Sequence, residues 1–387
     1  MASVCNRRNL SDRLIYLQVI GPGEWRGSGP AMGLSSASRP GMATNQNTEI
    51  KMKRILMAAF CSLSMACGTA VLAQAKPTTL KFANFAGPTA YLTKGMFEPL
   101  IKDIQDDAQG TLKIQLYSGG SLVKAEDTFD AVRRGLVDMG WGVTGYTPGR
   151  FKVADIPEIP FQARTLREAS TGVWRLYEEG LMDGFDDVKV FALVSSGILT
   201  AHGVSEINSL DDFKGQRIRA AGPLASASVE ALGIIPVGLP VPQTAENLSK
   251  KTLSGSLNDW NAVYTWQVLD FVPYHIDVPM GSSTVFLVIN KRAYDRLAPE
   301  AKAALEKHGG ANFVDRWSEG LGGENERLKQ LLQQNPAHTI VTPGEADVER
   351  WSAAVQPVIE KWVGSVPQGE RVWAVYTEAL ESQRGAQ

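Results

Sequence analysis

Arg217-Ile218-Arg219-Ala220-Ala221-Gly222-Pro223, the run Leu224 to Leu232, and Gly233-Ile234-Ile235-Pro236-Val237 read together as strand, helix and strand. Gly222-Pro223 closes the first strand, and proline suits the first turn of the following helix because it has no N–H to lose there. Gly233 ends the helix, expected over Ala225–Leu232, and Ile234–Val237 forms the next strand. A helix over Gln243–Lys251 follows, and Leu253-Ser254-Gly255-Ser256-Leu257-Asn258-Asp259-Trp260 closes the unit. Such alternation of short β runs with helices is the mark of an α/β fold.

The same alternation begins at Lys76. Thr78–Asn84 predicts a first strand, and Tyr91–Gln105 a helix with Leu92, Met96, Phe97, Leu100, Ile101 and Ile104 at helical spacing. Leu112–Tyr117 alternates strictly as a second strand and stops at Gly119-Gly120. A helix around Asp127–Arg134 and a third strand over Val137–Gly142 follow. Val285–Asn290 is a strongly apolar strand placed to return to this first unit. Beyond it helices are expected over Ala301–Lys307, Ala311–Gln333, Asp347–Trp362 and Gly369–Gln383. The expected organisation is therefore two α/β lobes: residues 76–198 and 284–325 in the first, and 199–283 and 326–387, with the C-terminal helices, in the second.

The chain has 387 residues, room for two domains at about 100–200 residues each. It is 44% apolar and 21% charged with a formal net charge of −2. That balance gives no electrostatic reason to expect nucleic acid or an anionic membrane as partner. After residue 76 no apolar run reaches the roughly 18 residues a membrane span needs. Residues 1–51 are Gly-, Ser-, Asn- and Arg-rich without apolar period. Lys51-Met52-Lys53-Arg54, the apolar stretch Ile55–Leu72 and Ala73-Gln74-Ala75 have the basic, apolar, small-residue order of a secretory signal. The expectation is a signal peptide over 52–75 starting at Met52, with 1–51 an extension that is not native, and an exported mature chain from Lys76. Ser64, three residues before Cys67, departs from a lipoprotein box. Cys5, Cys61 and Cys67 all precede Lys76, so the mature chain would hold no thiol, disulfide or Cys-based metal site.

Arg217 and Arg219 stand two apart on one strand, so both point to one face. Beside a Gly-Pro turn and a helix start, a guanidinium can fork two hydrogen bonds to a carboxylate, which lysine cannot match; a solvated surface pair fits the spacing equally well. His202, His275, His308 and His338 are scattered without metal-ligand spacing, which predicts structural or exposed roles. There is no G-x-S-x-G, P-loop or G-x-G-x-x-G opening a helix. Neither catalytic residue, metal nor cofactor is expected. Phe85, Tyr91, Trp141, Tyr146, Trp260, Tyr264 and Trp266 lie near strand ends, where aromatic residues pack a core or line a small apolar pocket.

Several segments, read in order, resemble the DctP-type solute receptors of TRAP (tripartite ATP-independent periplasmic) transporters. Gly119-Gly120-Ser121-Leu122 is similar to that family's Gly-Gly-x-Leu turn, and Val132–Met139 to its V-x-x-G-x-x-D-hydrophobic approach. Tyr146-Thr147-Pro148-Gly149-Arg150-Phe151 with Ile159-Pro160-Phe161 resembles Y-x-P-G-R-F…L-P-F. Leu210–Arg219 resembles S-x-x-D-L-K-G-x-K-I-R, Leu232–Val237 resembles L-G-A-x-P-V, and Val288-Ile289-Asn290-Lys291 the V-x-N-K return strand. The similarity spans essentially Lys76–Gln387. It implies a two-lobed periplasmic-binding-protein fold, type II-like, with a ligand cleft between lobes, more than one hinge segment and a helical C-terminal segment. It also implies a periplasmic receptor, not an enzyme, that closes on a small organic acid and delivers it to a small and a large membrane subunit, without inserting stably in the membrane itself.

The family's carboxylate-binding arginine ends K-I-R, which falls on Arg219 and leaves Arg217 at the surface. Around it the candidate ligand residues are Trp260, Tyr146, Asn258, Asn261, Phe85 and Trp141. Leu253-Ser254-Gly255 departs from V-D-G, and Trp260-Asn261-Ala262 from W-E-A, so Asn261 lacks a carboxylate some relatives carry. Leu199 in Gly197-Ile198-Leu199 stands where many members have a second arginine, which argues for a monocarboxylate with an apolar or hydroxylated body, an aromatic one where Trp260 and Tyr146 take part. A sensory receptor for the same ligands and a periplasmic enzyme on this scaffold are the alternatives.

Overall fold

Strand β1 (Thr78–Ala83) pairs in parallel with β2 (Leu112–Tyr117) on one side and β3 (Met139–Val143) on the other in a computed structural model of the protein, which describes residues 76–385. The expected extension 1–51 and signal 52–75 lie outside the described residues. β4 (Val188–Ser195) is the edge strand on the side away from β2, and β10 (Thr284–Asn290) returns from far along the chain to lie antiparallel between β3 and β4. All seven residues of β10 are buried. It is the continuously apolar central strand that Val285–Asn290 predicts, because both its faces are covered.

The second sheet runs β11-β9-β5-β8-β6-β7, formed by β5 (Thr200–Gly203), β6 (Arg217–Ala220), β7 (Ile235–Gly238), β8 (Gly255–Asn258), β9 (Tyr274–Ile276) and β11 (Thr339–Val341). β6 lies parallel to β7 and β8, with Pro223–Ala231 as the connecting helix. The unit around Arg219 thus has the expected strand–helix–strand order. The fold is α/β and two-lobed.

The chain crosses between the sheets at 196–199 and returns at 277–283, and the two crossings bond to each other. Ser196 N donates to Ser283 O, Leu199 N to Gly281 O and Met280 N to Leu199 O, each at 2.8 Å. A third segment joins them, since Ser282 N donates to Pro157 O at 2.7 Å. Gly281 has φ +79°, and a Cβ there would meet Glu158 O at 2.6 Å, so only glycine fits this crossing. The 24-residue helix Gly310–Gln333 makes a further link. Its Phe313, Trp317 and Leu321 pack with the first sheet's core, and Leu328 and Leu332 with residues of the second.

Two features depart from expectation. The sequence reading leaves 162–196 without an element, and the structure places there the helix Leu166–Glu178 and β4. β4 is buried on both faces, so it shows no alternation to read, and Ser, Thr and Gly interrupt the apolar face of the helix. The C-terminal helix Gly369–Gly385, expected with the second lobe, packs instead on Leu166–Glu178. Gly172 lets the Tyr376 ring rest on that helix, where a Cβ would stand 2.6 Å from it. Arg384 completes the contact with a 3.0 Å bond to the buried Glu168 carboxylate.

Candidate functional site

The carboxyl ends of β1, β3, β6 and β8 converge where the sheets face each other, the usual place for ligands in open α/β sheets. Phe85 follows β1, Trp141 lies in β3, and Tyr146 ends the 3-10 turn Thr144–Tyr146 behind it. Arg219 comes from β6, Asn258 ends β8, and Asp259 caps the helix Trp260–Thr265 by accepting from Ala262 N at 3.0 Å. The cavity they share is also lined by Leu199, Trp266 and Ser283. Its volume of about 60 Å³ is several times what one water needs.

Arg219 is 2% exposed. Its Nε donates to Leu239 O at 3.0 Å, Nη1 to Leu257 O at 2.9 Å, and Nη2 reaches Tyr146 Oη at 3.5 Å. A guanidinium has five N–H groups, so each terminal nitrogen keeps one. No carboxylate among the described residues lies within ion-pair distance of it. Arg217, two residues away, is exposed and donates to Thr252 O at 3.0 Å. The Tyr146 hydroxyl accepts from Val241 N at 3.1 Å as well, and burial raises its pKa.

The same cavity holds an aromatic stack. Phe85 stacks on Trp141 at 4.0 Å and beneath Trp266 at 5.6 Å, each pair 21° from parallel. Trp141 Nε1 donates to Asn84 Oδ1 at 2.8 Å, which leaves its ring as an apolar surface. Burial lifts the Asp259 carboxyl to about 6, against its backbone hydrogen bonds and the charge of Arg219. Behind Arg219, buried Glu158 accepts from Leu224 N at 3.1 Å and Ala225 N at 2.9 Å, capping the helix Pro223–Ala231. Burial holds its carboxyl above the ordinary range.

Six of the seven residues singled out in the sequence line this cavity: Phe85, Trp141, Tyr146, Arg219, Asn258 and Asn261. Trp260 does not. Asp259, its neighbour at the helix start, faces the cavity, and Trp260 points the other way, edge-on to His202 at 5.2 Å and His275 at 5.3 Å. Asp259 was not singled out; its signal is an acidic residue at the junction of a strand and a helix start, the usual signature of a cap.

The histidines are scattered in sequence but three of them meet in space. His202 Nε2 lies 3.0 Å from the carbonyl of Asn258, so it carries the proton, and Nδ1 accepts from His275 Nδ1 at 2.7 Å. His275 Nε2 then accepts from His338 Nδ1 at 3.1 Å. Each ring is fixed in one tautomer by the next. The nitrogens form a row with His275 bridging its neighbours, so they do not converge on a point where a metal would sit. Burial lowers His202 to about 4 and His275 to about 2, keeping both neutral.

Residues 82–365 match the model of the DctP family, the bacterial extracellular solute-binding proteins of family 7. The chain belongs to this family. Among its relatives is the protein TsaT of Comamonas testosteroni, described as an outer membrane transporter protein and 24% identical over 78% of this chain and 90% of its own. The fold is similar to a TRAP solute-binding protein from a marine metagenome, specific for aromatic acids and bound to 3-hydroxybenzoate. The TM-score is 0.76 at 23% identity over 80% of this chain and 99% of that one. It is also similar to a TRAP solute-binding protein of Rhodoferax ferrireducens bound to benzoate, with TM-score 0.75, 23% identity and the same coverage. DctP proteins are solute-binding proteins rather than enzymes, act outside the cytoplasm and work with membrane components. Among the described residues no helix is long and apolar enough to cross a membrane.

Proposed function

We propose that this DctP protein is a periplasmic receptor that captures a small aromatic monocarboxylic acid and delivers it to the small and large membrane subunits of a TRAP transporter. The observation that carries the reading is Arg219, a buried cation with one spare N–H on each terminal nitrogen and no ion-pair partner among the described residues. An unpaired buried charge is unfavourable, and a carboxylate that forks onto those two N–H groups compensates it. The stacked Phe85, Trp141 and Trp266 offer a flat apolar face to the body of the acid. Leu199, 4% exposed in the same cavity, brings no charge for a second carboxylate. The acids bound by the similar marine and Rhodoferax proteins are of this kind. Closure would bury the ligand between the two walls and present the closed form to the membrane partner.

The test is a thermal-shift screen of aromatic monocarboxylates, aliphatic monocarboxylates and dicarboxylates. A ligand at a hundredfold excess over its Kd adds about 2.7 kcal/mol to stability. Aromatic monocarboxylates are expected to raise the melting temperature of the wild-type protein and to leave Arg219→Ala unshifted. Stabilisation by dicarboxylates alone, or a shift that survives loss of the arginine, would overturn the reading.

A further inference from the structure

The polar atoms of the cavity are unbalanced once Arg219 has taken a carboxylate. Asn258 Oδ1 and Ser283 Oγ are buried, belong to residues that line the cavity, and have no hydrogen-bond partner among the described residues. Asn258 is 1% and Ser283 3% exposed. Asp259 lines the same space. Its carboxylate meets backbone N–H groups at the start of its own helix, Ala262 N at 3.0 Å among them, and no side-chain donor among the described residues reaches it. Gly197, whose Cβ would stand 2.5 Å from the Asp259 Cβ, and Asn325, which holds Asn261 N at 2.8 Å, close the wall behind it.

An acid that brings only a carboxylate and hydrocarbon supplies no donor to these atoms. It would leave the Asn258 oxygen buried and unpaired, since of the two only the Ser283 hydroxyl can turn to donate, and set its own charge near that of Asp259. Unpaired buried acceptors cost about 1–3 kcal/mol each, and more when charged. A site built around a ligand O–H or N–H rejects the analogue that lacks it far more strongly than an apolar pocket rejects a missing methylene.

We propose that the acid recognised here carries a hydrogen-bond donor on its body, a hydroxyl or an N–H, and that Asp259 receives it, with Asn258 and Ser283 completing the contact. Asp259 is thus a specificity-determining residue: Arg219 selects an acid, and Asp259 selects among acids. This rests on the carboxylate reading of Arg219 and narrows it.

The experiment is calorimetric titration of the mature wild-type protein with matched pairs of acids. 3-Hydroxybenzoate against benzoate and mandelate against phenylacetate test the hydroxyl. Pyroglutamate against its ring-oxygen analogue, in which the lactam N–H becomes a lactone oxygen, tests the N–H. In at least one pair the donor-bearing acid is expected to bind at least about tenfold more tightly. Asp259→Ser keeps a helix-capping hydroxyl but draws the acceptor back from the cavity, and there the ratio should fall to within about threefold. Should that variant lack a cooperative melting transition, Asp259→Asn retains cap and volume while removing the charge, and the ratio should still fall by at least about threefold. Pairs that bind equally in the wild-type protein, or a ratio that persists in the folded variant, would overturn the inference and leave the carboxylate reading standing. Failure of every acid to bind would overturn both.

Discussion

The two walls of the cavity are built from opposite chemistry. The first sheet supplies Phe85, Trp141, Val143 and Val285, with the one polar atom of Trp141 already bonded to Asn84. The second sheet and its helix supply Arg219, Asn258, Asp259 and Asn261. The first wall can lower the free energy of almost any flat apolar body, at roughly 25 cal/mol per Å² removed from water, and discriminates little. The second gains strength only as closure excludes water, because charge interactions grow as the local dielectric falls. The charged groups thus come from the second sheet, and most of the apolar area from the first, with Trp266 reaching over from the second-sheet side.

Removing the charge from the second wall should have the largest effect. Arg219→Ala deletes one partner of a buried pair, a change that costs about 2–5 kcal/mol, so a loss of at least about thirtyfold in affinity is expected by calorimetry, and at the upper end no measurable binding. Arg219→Lys restores a charge without the fork and should recover only part of it. Full recovery by lysine would mean that charge alone, and not bidentate geometry, is what the wall provides.

The aromatic stack is best tested at Trp266, the ring that reaches it from the second-sheet side. Trp141 is 4% exposed and part of the core, where loss of so large a ring costs about 3–5 kcal/mol of fold stability. Trp266 is only partly buried and covers Phe85 from the second-sheet side. Trp266→Ala should weaken aromatic acids by about tenfold, through lost apolar contact, and should weaken aliphatic acids of similar length less. Equal losses for both would show that the slab excludes water without recognising the ring.

Much of this division could be read from the sequence, and the limits have physical causes. The strand–helix–strand run from Arg217 to Val237 is local, so its order is visible in spacing alone. Spacing could not separate Arg217 from Arg219, since period two gives them the same face; the motif ending at Arg219 did so. Trp260 falls outside the cavity because adjacent residues at a strand-to-helix junction point in different directions, and the one facing the cavity is Asp259. The row of His202, His275 and His338 is invisible in sequence because it is made by the pairing β11-β9-β5, which joins segments more than 60 residues apart. The docking of Tyr376 on Gly172 depends in the same way on contact between distant helices.

A smaller effect should distinguish the two walls by pH. Burial holds the Asp259 carboxyl at about 6, with Arg219 and the neutral Tyr146 hydroxyl facing it. A ligand carboxylate on Arg219 adds a second negative charge, which favours the protonated form of Asp259 further. Binding of an acid without a donor should therefore take up a proton, and affinity should rise as pH falls from 8 towards 5, by up to about tenfold, before the acid itself protonates. Titrations in buffers of different ionisation enthalpy measure that uptake directly. The aromatic wall has no titratable group and predicts no change, so a pH-independent affinity would mean that Asp259 does not sense the ligand's charge.

The smallest effect is expected at Arg217, and it sharpens the comparison because it holds everything but position constant. Arg217 and Arg219 share a strand, a face and a charge. Arg219 pairs across to Val237 and Ser256 and ends in the cavity, buried among Leu239, Leu257 and Tyr146. Arg217 lies one pleat earlier, opposite Ile235 at the exposed start of β6, where its guanidinium donates to the carbonyl of Thr252. In water a point charge is screened within about 10 Å at ordinary ionic strength, so Arg217 should neither attract the ligand strongly nor stabilise it once bound. Arg217→Ala should leave Kd within about twofold, and any change should vanish in high salt. A loss near that of Arg219→Ala, insensitive to salt, would place the carboxylate contact on the outer arginine and reverse the assignment of charge to the buried wall.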